Sequence, residues 1–196
     1  MTSIERYANE HNYFVVMPDG GRSFYTDMKY GLAYYTYISE ELPNYIKQVF
    51  NVKTCRENTF IAGLSMGGYG AFKIALRNPD KYCAAAALSG AIDVCSRFEY
   101  ADWQKDVYLI CGDENIRGTD DDLFALLDRY SDSSLKKPRL YQACGTEDFL
   151  YRDNLTFKSK ITPMGFDFRY EEGHGDHNWK FWDEYIKHAL DFFDEK

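Results

Sequence analysis

The apolar residues of this 196-residue chain follow two rhythms that alternate along it. Short β-rich runs read as strands: "YFVVM" (13–17), "TFIAG" (59–63), "CAAAALS" (83–89), "VYLIC" (107–111), "RLYQAC" (139–144) and "FDFRYEE" (166–172). Between them the spacing lengthens to that of helices, over 2–11, 32–50, 66–77, 120–131, 152–164 and 180–194. Alanine prefers helix, but the turns on both sides of 83–89 decide for strand there. Alternating strands and helices predict an α/β fold, a mainly parallel sheet flanked by helices. "GTDDDLFALLDRY" carries a helix start, with Thr119 as cap and acids in a first turn where the helix dipole favours them. Pro43 falls inside the second helical stretch and predicts a kink, since proline has no N–H to give the preceding turn. Residues 92–119 read irregularly and are expected to form an insertion or cap over a site. No repeat, low-complexity tract or linker breaks the pattern, so one domain over 1–196 is expected.

Composition narrows the classes of partner. A net charge of −8 argues against nucleic acid, which needs clustered Lys and Arg. There is no run of about 18 apolar residues, so no membrane span is expected. "MTSIERYANEHNYF" lacks the basic-then-apolar order of a signal peptide. The five cysteines, Cys55, Cys83, Cys95, Cys111 and Cys144, are odd in number and have no metal-ligand spacing. Reduced, partly buried thiols and a cytoplasmic location are the resulting expectations. Homo-oligomerisation stays open. Seventeen Tyr, 14 Phe and 3 Trp suit a ligand pocket and an aromatic core equally well.

"GLSMG" (63–67) fits the G-x-S-x-G elbow and has the context that motif needs, an apolar strand before it and a helix after it. The turn sets Ser65 at a helix N-terminus, where the N–H of Met66 is available to a developing oxyanion. A serine hydroxyl is a poor nucleophile at neutral pH and needs a general base. Of the four histidines, His11 lies ahead of the sheet and His188 on a terminal amphipathic helix. His174 and His177, in "EEGHGDHNW" after the last strand, reach the same rim of the sheet as the elbow. "CGTEDFLY" (144–151) follows another strand and offers Glu147 and Asp148; Asp148 completes the chain order Ser, Asp, His. His174, Asp176 and His177 also form a compact group that could ligate zinc, but no second ligand cluster accompanies them, so no metal is expected. The aromatic loop "RSFYTDMKYG" offers Phe24 and Tyr25 as pocket walls, or as simple packing under the second helix.

Taken together, "VVMPDGGRSFYTD", "YISEELPNYI", "FIAGLSMGGYGAFKIAL", "GTDDDLFAL", "CGTEDFLY" and "GDHNWKFWDEYI" resemble, in order, the esterase D family of α/β-hydrolases. The likeness is to its tributyrin-esterase and feruloyl-esterase-like branch. The resemblance implies Ser65 as nucleophile, Asp148 as the acid of C-G-x-x-D, and His177 as the base of G-x-H-x-W-x-x-W, with Trp179 near the substrate. It implies a serine carboxylesterase on short acyl or aryl (acetyl- or feruloyl-type) esters, small or carbohydrate-linked, working without a cofactor. An S-formylglutathione hydrolase-type thioesterase is the alternative on the same triad. The family carries further strands ahead of "YFVVMPDGG", ending in an "LHG"-type loop that supplies a second oxyanion donor. No such sequence occurs here, so the resemblance predicts an N-terminally incomplete α/β-hydrolase. A weakly active or inactive fragment is the third expectation.

Overall fold

Four of the six strand-like runs pair into one all-parallel sheet. β1 (Phe60–Leu64), β2 (Ala84–Leu88), β3 (Arg139–Gly145) and β4 (Phe168–Gly173) lie side by side in chain order. The computed structural model describes residues 2–100, 103–131 and 134–195; residues 101 and 102 of the 92–119 segment thus lie outside it. Parallel neighbours need crossovers long enough to return the chain to its starting end. They are α4 (Met66–Arg77) between β1 and β2, α8 (Tyr151–Ile161) between β3 and β4, and, among the described residues, three α-helices between β2 and β3. Those three are α5 (Val94–Arg97), α6 (Gln104–Cys111) and α7 (Leu123–Asp128). After β4 comes α9 (Trp179–Asp194), and ahead of the sheet α1 (Ile4–Glu10).

β2 shows why an alanine run becomes a strand. Its residues alternate between two cores: Ala85 and Ala87 face Tyr69, Phe72 and Phe157, while Ala84, Ala86 and Leu88 face Tyr141, Phe181 and Phe192. Helices press on both faces of such a strand, and only small side chains leave them room. A Cβ on Gly68 of α4 would lie 3.3 Å from the Ala87 methyl. On the other face Phe181, Trp182, Ala189, Leu190, Phe192 and Phe193 form the buried stripe of α9. Asn178 caps that helix, its Oδ1 accepting from the N–H groups of Lys180 (3.0 Å) and Phe181 (3.3 Å). α1 docks on α9 through Tyr7, whose hydroxyl donates to Asp183 at 2.9 Å.

Two strand-like runs behave otherwise. "VYLIC" is the last part of α6, because Trp103, Val107, Ile110 and Cys111 meet the core at helical spacing. The free carbonyls of Leu109 and Ile110 at its end accept from the N–H groups of Tyr30 (3.0 Å) and Lys29 (2.8 Å). "YFVVM" forms no regular element and pairs with no strand; Phe14, Val15, Val16 and Met17 are exposed, and among the described residues the outer edge of β1 is open. A β-rich apolar run becomes a strand only where a neighbour takes up its backbone groups.

Helix ends also shift. Asp122, not Thr119, caps α7, its carboxylate accepting from Phe124 N–H at 2.9 Å. Thr119 Oγ1 instead donates to Ile116 O at 2.6 Å, closing the turn before. The stretch 32–50 stays helical through Pro43 and widens before it, running as α2 (Tyr34–Thr36), a π turn (Tyr37–Glu41) and α3 (Leu42–Val49) with helical dihedrals at both junctions. The Ser39 carbonyl, which proline leaves without its usual donor, accepts from Lys81 Nζ at 3.1 Å. Within segment 92–119, Ile92, Val94, Phe98, Ile110 and Ile116 belong to the main core. All five cysteines are free thiols; Cys95 and Cys144 are buried and Cys55 is exposed. No helix among the described residues is long and apolar enough to cross a membrane.

Candidate active site

The last residue of the β1 turn, Ser65, has φ 53° and ψ −119°, a backbone conformation that L-residues avoid. Four contacts hold it there. Its N–H donates to Leu88 O at 2.9 Å, and its carbonyl accepts from Ala91 N–H at 3.0 Å, Gly68 N–H at 3.1 Å and Tyr69 N–H at 3.3 Å. Two of the four come from β2 and the turn after it, and two from the first turn of α4. A Cβ at Gly63 would fall 2.2 Å from the Gly67 carbonyl oxygen, so that position must be glycine for the turn to close. The second motif glycine is less constrained. A Cβ at Gly67 would meet only the Tyr25 hydroxyl, at 3.4 Å, whereas one at Gly68 would fall 2.9 Å from Gly90 Cα.

Two more strand ends bring their loops to the same rim. Asp148 follows β3 and His177 follows β4. His177 Nε2 lies 2.9 Å from Ser65 Oγ, and its Nδ1 lies 2.8 Å from Asp148 Oδ2. With Nδ1 protonated and donating to the carboxylate, Nε2 is left as the acceptor for the serine hydroxyl. The imidazole is wedged between rings, Phe149 at 4.6 Å and Trp182 at 4.9 Å between centroids. The Asp148 side chain is fully buried. Burial by itself pushes its carboxyl up, but hydrogen bonds from His177 and from Leu150 N–H (2.8 Å) outweigh it and hold the group below the ordinary carboxylate range. A chain of this kind moves a proton from a hydroxyl to an imidazole and stabilises the imidazolium that results.

The other candidates lie elsewhere. His174 is exposed and pairs with Glu147 at 2.9 Å; Glu147 also accepts from Gly175 N–H at 2.5 Å, pinning the loop that carries His177. Asp176 accepts from the His177 backbone N–H at 2.7 Å. With His174 on Glu147 and His177 between Asp148 and Ser65, these three residues do not converge on a metal position. Met66 opens α4, so its N–H has no acceptor four residues back within the helix. Phe24 is buried in an aromatic cluster with Phe98 (5.1 Å) and Trp103 (5.4 Å), which leaves it no face for a substrate. Tyr25 is half-buried and lies along Gly67 and Gly70 of α4. Trp179 is 45% exposed and reaches His177 only through Trp182, 5.4 Å away.

Sequence reading does not reach several supporting groups. Phe149 merely follows the acid in the chain, with no pattern to mark it. Asn154, fully buried in α8, donates to the Gly90 and Leu150 carbonyls at 2.9 Å each and accepts from Gln142 of β3 at 2.7 Å. A buried Asn one turn into a helix would signal such a network only once its neighbours were known. A cavity of about 380 Å³ lies away from Ser65, Asp148 and His177, lined by Thr26, Asp27, Tyr35, Arg77 and Thr119 to Asp121.

A parallel sheet with helices on both faces, carrying a left-handed serine between strand and helix, defines the α/β-hydrolase type of architecture. Within it the chain belongs to the Esterase family: the model described as "Putative esterase" matches residues 1–193. It is similar to an acetyl esterase of Caldicellulosiruptor saccharolyticus, 33% identical over 199 residues, covering 96% of this chain and 74% of that protein. Among solved structures it resembles FphF, a fluorophosphonate-binding serine hydrolase of Staphylococcus aureus, with TM-score 0.93 and 38% identity over 100% of this chain and 76% of that one. It also resembles the S-formylglutathione hydrolase FrmB of Staphylococcus aureus, with TM-score 0.86 and 40% identity over 98% of this chain and 76% of that one. The protein is a carboxylic ester hydrolase.

Proposed function

We infer that the chain hydrolyses short acyl or aryl esters through a Ser65–His177–Asp148 triad, in the manner of the esterase D branch. The observation that carries this reading is the unbroken hydrogen-bond chain, 2.9 Å and then 2.8 Å, starting from a serine in a left-handed conformation. Ser65 Oγ attacks the ester carbonyl as its proton passes to His177 Nε2. The Met66 N–H donates to the oxyanion of the tetrahedral intermediate. The C–O bond to the alcohol breaks, the alcohol leaves with the proton from His177, and an acyl-enzyme remains. Water then attacks the acyl carbonyl and gives its proton to His177; the C–O bond to Ser65 breaks, Oγ takes that proton from His177, and the acid and free Ser65 are released. Asp148 orients the imidazole and balances its charge at each stage. Tyr25 and Trp179 are the aromatic walls offered to the substrate, while Phe24 packs against Tyr69, Phe98 and Trp103 in the core.

The experiment is hydrolysis of p-nitrophenyl acetate by the chain and by Ser65→Ala. The variant is expected to lose about 10⁴- to 10⁶-fold in kcat. Equal rates in the two proteins would end this reading. Thioester hydrolysis on the same triad is the second reading, favoured by the 40% identity to an S-formylglutathione hydrolase. The ratio of kcat/KM for S-formylglutathione to that for p-nitrophenyl acetate separates the two.

A further inference from the structure

We propose that Lys73, buried in the elbow helix, is a positioning residue that sets Tyr25 against the N-terminal turns of α4 and so shapes the substrate wall. Lys73 lies on α4 two turns beyond Ser65, and its side chain has no exposure to solvent. Its ammonium has three protons and three acceptors: Phe24 O at 3.0 Å, Thr26 Oγ1 at 3.1 Å and Asp121 Oδ1 at 2.9 Å. The Tyr69 ring lies beneath it, 4.9 Å to the centroid. A buried lysine needs a reason, because desolvating the charge is costly even when it is paired.

The reason lies in the segment it grips. Phe24 and Tyr25 are consecutive aromatic residues at φ 48° and 52°, each in a conformation that disfavours side chains. Such a pair persists only if its surroundings fix it. Ser23 does part of this, donating to Gly20 O at 2.7 Å and accepting from Tyr25 N–H at 2.9 Å. Lys73 does the rest by holding the carbonyl of Phe24, the peptide that leads into Tyr25. The result is a ring pressed flat on the helix: a Cβ at Gly70 would fall 2.3 Å from Tyr25 Cδ2, and one at Gly67 3.4 Å from the hydroxyl. Gly67 is two residues from the nucleophile, so the Tyr25 hydroxyl stands beside the elbow. Asp121 completes the clamp from the far side, through Lys73 and through its carbonyl, which accepts from Tyr69 Oη at 2.6 Å. One ammonium thereby ties the elbow helix, the left-handed loop and the segment before α7.

This inference rests on the esterase reading for its kinetic arm, so the test has a second arm that does not. A 3-fluorotyrosine at position 25 reports the ring's surroundings by ¹⁹F NMR in the chain and in Lys73→Met. The expected result is a dispersed, buried-ring shift in the first that moves toward the free-tyrosine value in the second. An unchanged shift overturns the proposal whether or not the protein hydrolyses esters. In the kinetic arm, Lys73→Met is expected to raise KM for p-nitrophenyl acetate about 5- to 20-fold with kcat within about threefold. The double variant Lys73→Met/Tyr25→Ala is expected to match Tyr25→Ala alone, since residues acting through one another are not additive. Effects that simply multiply would mean that Lys73 acts by another route, and the proposal fails. If Lys73→Met does not fold, Asp121→Asn loosens the same clamp and is expected to shift KM and the ¹⁹F line in the same direction; no shift in either overturns it. Hydrolysis absent in the parent chain, with the ¹⁹F change present, would count against the esterase reading and not against the clamp.

Discussion

β1 and β2 are adjacent strands of five residues in full parallel register, Phe60 opposite Ala84 through Leu64 opposite Leu88, yet they live in different surroundings. Every residue of β2 is buried, with helices on both faces and a strand on either side. No residue of β1 is fully buried, and Ala62 is exposed. Ser65, the proposed nucleophile, follows the poorly covered strand. Its conformation is nevertheless fixed from the well-covered side, by Leu88 O and Ala91 N–H. The difference teaches that the elbow's geometry is set by β2 and by the turn after it, while the outer flank of β1 bears little of the load.

Chemistry and packing give ways to break or sharpen this contrast. The largest effect belongs to Asp148→Asn, which keeps the shape of the site but loses the charge and the tautomer-setting acceptor opposite His177. A fall in kcat of about 10⁴ is expected with the melting temperature nearly unchanged. A near-normal rate would mean that the acid is another residue. Next comes a matched pair on the two strands. Ala86→Leu has no room between β2 and α9 and is expected to cost about 1–3 kcal/mol in chemical denaturation. Ala62→Leu, on the exposed side of β1, is expected to stay within about 0.5 kcal/mol. Equal costs at the two sites would erase the contrast.

The smallest effect is a pH dependence at the far end of α4. Burial pushes the Lys73 ammonium down to about 8, against an ordinary 10.5; Asp121, and more weakly Asp27, oppose that fall while Arg77 adds to it. The unfolded chain keeps this proton up to its higher pKa, so between about pH 8 and 10 it binds more protons than the folded one. Stability from this group therefore rises with pH in that window. The neighbouring Tyr69 acts in the opposite sense only above its ordinary value of 10, because burial raises its pKa. The melting temperature of the parent chain, minus that of Lys73→Met, is expected to increase from pH 7.5 to 9.5. A flat difference would mean that the lysine is not buried as described.

What the sequence reveals here depends on how local each cause is. The three side chains that meet at the rim are legible because an elbow motif and two strand ends are local patterns, and parallel topology brings strand ends together. The choice between His174 and His177 needs either a family likeness or the structure, since both lie on one loop. "VYLIC" reads as strand by composition, although Val107, Ile110 and Cys111 carry the helical spacing that α6 obeys. "YFVVM" has the apolar, β-rich composition of a strand, but pairing is a property of the neighbour and not of the run. Pro43 announces a disturbance, here the π turn just ahead of it, because the missing N–H is intrinsic to the residue. Lys73 sits in a helix of Ala, Phe, Ile and Leu, where a cation would ordinarily face solvent; nothing nearby in the chain shows that Phe24 and Asp121 come to meet it.

The central claim is that Ser65 is a nucleophile activated by His177 on a turn held from the β2 side. Intact-mass analysis after exposure to a fluorophosphonate tests it most directly, followed by peptide mapping. The account predicts one adduct per chain, on Ser65, absent in Ser65→Ala and formed orders of magnitude more slowly in His177→Ala. No adduct on the folded parent chain, or an adduct on a different serine, would contradict it.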